Sequence, residues 1–78
     1  MPKLPVIPAK ELLRLVLKYG CILHSIRGSH FNVYNPNNNK RSTIPIHGKR
    51  DLSKAFFANI LNQLDIDVDD FLEFMKNN

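Results

Sequence analysis

Cysteine is almost absent: Cys21 is the only one in 78 residues, so no disulfide forms within the chain, and a reducing compartment is consistent with that usage. Neither neighbour of Cys21 is cationic, so it reads as a small buried residue rather than a reactive thiol. Long apolar runs are missing too. Stretches such as Leu15-Val16-Leu17 fall far short of the roughly 20 residues a helical membrane span requires. The N-terminus carries Lys3 and interrupting prolines in place of a signal peptide's apolar stretch of about 7 to 15 residues, so the expected location is cytoplasmic. Acidic residues are scarce over the first 64 positions, where ten Lys and Arg face two Asp and Glu, a net of +8. Residues 65–78 reverse this with five acidic residues and one basic, a net of −4. A polyanion, and nucleic acid above all, is the natural partner of the basic part, although scattered lysines also serve solubility.

The apolar content of 44% suits one small core. We expect a single domain over residues 1–78, too short for a multi-step enzyme built around a large cofactor, and no cofactor is expected. No repeat, low-complexity tract or interdomain linker interrupts it.

The chain reads as helix, three strands, then two helices. Pro8 suits a first helical position and Gly20 a terminating one. Between them Ala9, Leu12, Leu13 and Val16 keep the spacing of a buried face, which predicts a helix over about residues 9–19. On its other side Lys10, Arg14 and Lys18 recur every fourth residue, a stripe that suits either a phosphate backbone or water.

Beyond Gly20 the period becomes two, predicting antiparallel strands over 22–27, 30–34 and 41–47, with turns at Gly28-Ser29 and over 35–40. A type II′ turn at Gly28-Ser29 sets Arg27 across from His30. That register leaves Leu23 on the polar face and His24 on the apolar one, where it would be a structural histidine, unless a longer loop or a bulge intervenes. Sharing one buried face among Phe31, Val33, Ile44 and Ile46 predicts 31 opposite 46 and 33 opposite 44. His30 then faces His47 on the outward side of the sheet, with Tyr34 and Thr43 farther along. Pro45 has no N–H, which marks the third strand as an edge strand. Asp51 or Ser53 caps a second helix carrying Phe56, Phe57, Ile60, Leu61 and Leu64, and Asp67 caps a short acidic helix carrying Val68, Phe71, Leu72 and Met75.

An N-terminal helix closed by glycine, Gly28-Ser29-His30 opening a strand, Thr43-Ile44-Pro45-Ile46-His47, then a helix followed by an Asp-rich Phe71-Leu72 segment resembles the HicA family of bacterial mRNA interferase toxins. The resemblance covers nearly the whole chain. It implies an α+β fold, a double-stranded-RNA-binding-domain-like α-β-β-β-α with a short extra C-terminal helix and a three-stranded antiparallel sheet. It also implies cleavage of mRNA, neutralisation by a HicB antitoxin covering the active site, and catalysis by the strand histidine, here His30. The chain departs from the family at Ala55, where many members have glycine, and at Leu64-Asp65-Ile66, which replaces an Ala-Gly-Leu-like end.

The residues support this chemistry without the family. RNA cleavage by its own 2′-hydroxyl needs a base, an acid for the leaving 5′-oxygen, and cations for the phosphate, and imidazole titrates near neutral pH and serves either proton-transfer role. His30 is the first candidate and His47 its partner. Arg27 and Ser29 beside the turn are candidate RNA contacts, Arg27 as a phosphate clamp. Lys10, Arg14 and Lys18 on the first helix, with Lys40, Arg41, Lys49, Arg50 and Lys54 around the hairpin and second helix, would extend the phosphate-binding surface. Cys21, His24, His30 and His47 have none of the usual zinc-ligand spacings, so no metal is expected. The same elements and cations equally suit a noncatalytic double-stranded-RNA-binding module. A partner-binding fragment with Phe56, Phe57 and Phe71 as exposed anchors is a third reading, set against the usual placement of such aromatics in a core.

Overall fold

The structure is a computed structural model describing residues 4–78, so Lys3 lies outside the described residues. Its elements run α1 (Ala9–Tyr19), β1 (Ile22–Arg27), β2 (His30–Asn35), β3 (Lys40–Pro45), α2 (Lys54–Gln63) and α3 (Val68–Lys76). This is the α+β, double-stranded-RNA-binding-domain-like order that the resemblance implies, with α3 as the extra C-terminal helix.

Each helix starts and stops for a local reason. Pro8 is the N-cap of α1, extended at φ −61° and ψ 147°, so it stands one residue ahead of the first helical position its sequence suggested. At the other end Gly20 N–H donates to the Leu17 carbonyl and Cys21 N–H to that of Val16. This is a Schellman closure, and its left-handed residue, Gly20, has φ 131°. Ala9, Leu12, Leu15 and Val16 are buried, whereas Leu13 is half-buried. The apolar stripe is broader than its minimal spacing suggested, and its centre is displaced toward Leu15. Ser53, rather than Asp51, caps α2 by accepting from Phe56 N–H at 3.1 Å, and Asp67 caps α3 by accepting from Asp70 N–H at 3.0 Å.

The end of α2 repeats the Schellman pattern: Asp65 N–H donates to Asn62 and Ile66 N–H to Leu61, with Asp65 at φ 56°. Asp65 stands where the family pattern has glycine, so a residue with a Cβ occupies the left-handed position. Aspartate tolerates that region better than most residues but less well than glycine. Asp65→Gly is therefore expected to stabilise the protein by about 0.5–1 kcal/mol, read as a raised denaturation midpoint with an unchanged slope.

The sheet has the order β1-β2-β3, so β3 is the edge strand that Pro45 indicated. Its register differs from the hydrophobic matching. Phe31 pairs with Ile44, Val33 with Ser42, and His30 with Pro45, a slide of two residues from the expected 31–46, 33–44 and 30–47 pairs. A shift of two keeps every side chain on its own face. The cause is a tighter second turn: Asn35 pairs with Lys40, and Asn39 at φ 59° closes the four residues between them. Ser42 thereby takes the buried place opposite Val33 and donates to Gln63 Oε1 at 2.6 Å, so its burial leaves the hydroxyl satisfied. The buried Asn35 amide likewise donates to the Leu64 carbonyl at 3.0 Å, tying the hairpin tip to the end of α2.

The helices cover the sheet face that carries Val33 and Ile44. Phe57, Phe71, Leu12, Ile44, Ile60, Leu61 and Leu64 are fully buried there. Phe56 is not: it is 40% exposed, and Phe57 takes the core position of that turn. Cys21 is buried, and burial pushes its thiol pKa up, which keeps it protonated and unreactive.

Candidate functional site

The first hairpin builds the histidine end of the outer sheet face. Gly28 at φ 60° takes the left-handed position of the two-residue turn and Ser29 does not, as a type II′ geometry requires, so Arg27 pairs with His30 as expected. Ser29 is half-buried, and its carbonyl accepts from Ile46 N–H at 2.8 Å. That bond holds the chain beyond β3 against the turn. His47 follows immediately, so although His30 pairs with Pro45 in the ladder, the two imidazoles still come together, with ring centroids 6.4 Å apart and planes at 84°. Both side chains are exposed, as is Arg27.

Farther along the same face, Asn32 Nδ2 donates to Ser25 Oγ at 3.0 Å and Thr43 Oγ1 donates to Asn32 Oδ1 at 2.6 Å. These three residues cross all strands and give the outer face a fixed polar floor. Alternation with Phe31 and Val33 puts Asn32 on this face, so its place is legible from the sequence. His24 is the larger correction. The β1–β2 ladder jumps between Leu23 and Ser25, leaving His24 as the extra residue of a bulge. The bulge turns Leu23 toward the core and His24 out into solvent, edge-on to Tyr34 at 6.2 Å. His24 is therefore not an inward structural histidine.

The predicted cations separate into groups. Lys49 and Arg50 are exposed directly after His47, and the Arg50 carbonyl accepts from Ala9 N–H at 3.2 Å, which brings the start of α1 to this loop. Lys10 and Arg14 consequently line a small apolar groove shared with Lys49. Arg14 is engaged rather than free: it pairs with Glu11 and donates to the Asn78 carbonyl at 3.1 Å. Lys18 lies two turns from Lys10, about 12 Å along the helix. Lys40 and Arg41 are exposed at the opposite end of the hairpin, and Lys54 is exposed at the start of α2. Arg27, Lys40 and Arg41 line one open groove at the β3 edge, whose walls combine Asn32 and Thr43 of the outer face with Val33 and Ser42 of the helix-covered face and Phe56 of α2.

Among the described residues no three His, Cys, Asp or Glu side chains gather as metal ligands, and no helix is long and apolar enough to cross a membrane.

Comparison with curated proteins and with solved structures gives no match. The family model described as the HicA toxin of bacterial toxin-antitoxin matches residues 9–66. The matched span runs from the first residue of α1 to Ile66 and takes in the whole sheet, all three histidines and the Schellman end of α2. The chain belongs to the HicA toxin family of bacterial toxin-antitoxin systems, in which a toxin is held by an antitoxin partner.

Proposed function

We propose that this toxin is an endoribonuclease that cleaves mRNA with His30 as a proton-transfer residue, arresting translation until a HicB-type antitoxin covers the His30 face. The observation that carries the reading is the exposed pair of imidazoles, 6.4 Å apart beside Arg27, in a chain of this family. A phosphate seated between the rings would meet one imidazole on the side of the 2′-hydroxyl and the other on the side of the leaving 5′-oxygen. The base takes the 2′-hydroxyl proton as that oxygen attacks phosphorus. The acid then delivers a proton to the departing 5′-oxygen, and Arg27 offers charge to the phosphoryl oxygens. The products are a 2′,3′-cyclic phosphate and a 5′-hydroxyl. The whole domain, residues 1–78, acts in the cytoplasm in this reading, and the antitoxin offers acidic or polar groups where phosphate would bind.

An acid and a base working together predict a bell-shaped dependence of cleavage rate on pH. His47→Ala is expected to lower the rate by roughly 10²-fold or more and to remove one limb of the bell. A His47→Ala variant with nearly full activity would leave His30 working with Arg27, a lysine or water. Cleavage is expected to persist in chelator, and its loss there would overturn the metal-independent route. The runner-up, a double-stranded-RNA-binding module, would bind duplex RNA and leave every strand intact.

A further inference from the structure

We infer that Phe56 is a stacking platform for an unpaired base of RNA, in a groove at the β3 edge that joins the start of α2 to the outer sheet face. The inference rests on the ribonuclease reading above and names the form of RNA that the site takes. Phe56 is the one aromatic residue among the large hydrophobics exposed in the described structure, at 40%. It lies in the first turn of α2, where Phe57 already fills the core, so packing does not account for an aromatic at this position.

Its surroundings are not those of an apolar docking surface. The groove that Phe56 lines has the hydrogen-bonded Ser25, Asn32 and Thr43 among its walls, with Arg27, Lys40 and Arg41 also lining it. Among the described residues no carboxylate lines this groove, and none forms a salt bridge with these three cations. Cations that follow a backbone, combined with an exposed ring on which a base stacks, are the two parts of a single-strand site. Asn59, one turn on from Phe56, lines the same groove and adds an amide able to donate to and accept from a base edge. Arg27 lines the groove and pairs with His30 across the turn, so a strand laid in the groove passes beside the histidine pair, which does not itself line it. A base held in a duplex has both faces covered by its neighbours, which is why the platform selects unpaired RNA.

The test uses the full chain carrying His30→Ala, so that bound RNA stays intact, and measures fluorescence anisotropy with three probes: a labelled single-stranded RNA, an abasic strand of equal length, and a duplex. Adding Phe56→Ala is expected to weaken the single strand by roughly 5- to 150-fold, the effect of one lost stack, and to leave the abasic strand unchanged. Phe56→Trp should restore affinity, with its indole fluorescence quenched by the single strand. Equal binding of the single strand with and without Phe56, or equal losses for single and abasic strands, overturns the inference while leaving the ribonuclease reading standing. A parent chain that neither binds nor cuts any RNA overturns both.

Discussion

His30→Ala is expected to abolish growth arrest in cells and to cut the RNA cleavage rate by about 10²- to 10⁴-fold, the usual contribution of a positioned acid or base. The expectation depends on His30 being a chemical group and not a packing group. Its side chain is exposed on the outer face, next to a turn whose geometry is set by Gly28 and whose closure is the Ile46 to Ser29 backbone bond. None of these needs an imidazole, so the variant should keep its circular dichroism spectrum and its stability to within about 0.5 kcal/mol, as exposed substitutions usually do. Loss of activity with loss of fold would place His30 among structural residues. Full activity in a folded variant would remove it from the reaction.

Phe71→Ala is expected to cost about 3–5 kcal/mol. Residue 71 lies beyond the span that matches the family, yet its ring is fully buried. It contacts Tyr19 at 5.3 Å, Phe57 at 6.0 Å and Phe74 at 5.7 Å between centroids, and so joins α1, α2 and α3. A protein of this length has roughly 4–12 kcal/mol of total stability, so the truncation takes about a quarter of it or more. Urea unfolding of the variant should show a midpoint shifted far down, or no cooperative transition at all. A loss below about 1 kcal/mol would mean that α3 is an appendage that contributes little to the core.

Much of the architecture was legible because periodicity and caps are local. Gly20, Ser53 and Asp67 act at helix ends as their chemistry implies, and the change of period after Gly20 marks the sheet. The register was not legible. Matching Val33 to Ile44 is sound if every inward residue is apolar, but Ser42 takes that place with Gln63, 21 positions away, satisfying its hydroxyl. No local pattern reports such a partner. The side that His24 takes is hidden for a related reason: strict alternation assigns it inward, and a one-residue bulge reverses both it and Leu23. Phe56 and Phe57 are adjacent apolar residues on one helix, and spacing alone puts both within a broad buried stripe. The proximity of His30 and His47 survived the register error because a two-residue slide preserves the face, and the chain beyond Pro45 folds back onto Ser29.

Metal-independent cleavage by the 2′-hydroxyl is decided by incubating the purified chain, in chelator, with a defined single-stranded RNA and with the same RNA carrying 2′-deoxy sugars, followed by mass analysis of the ends. Fragments of the first RNA are expected to end in 2′,3′-cyclic phosphate with 5′-hydroxyl partners, and the second RNA is expected to stay intact. Intact RNA in both, or fragments that begin with 5′-phosphate and form regardless of the 2′-hydroxyl, would contradict that mechanism.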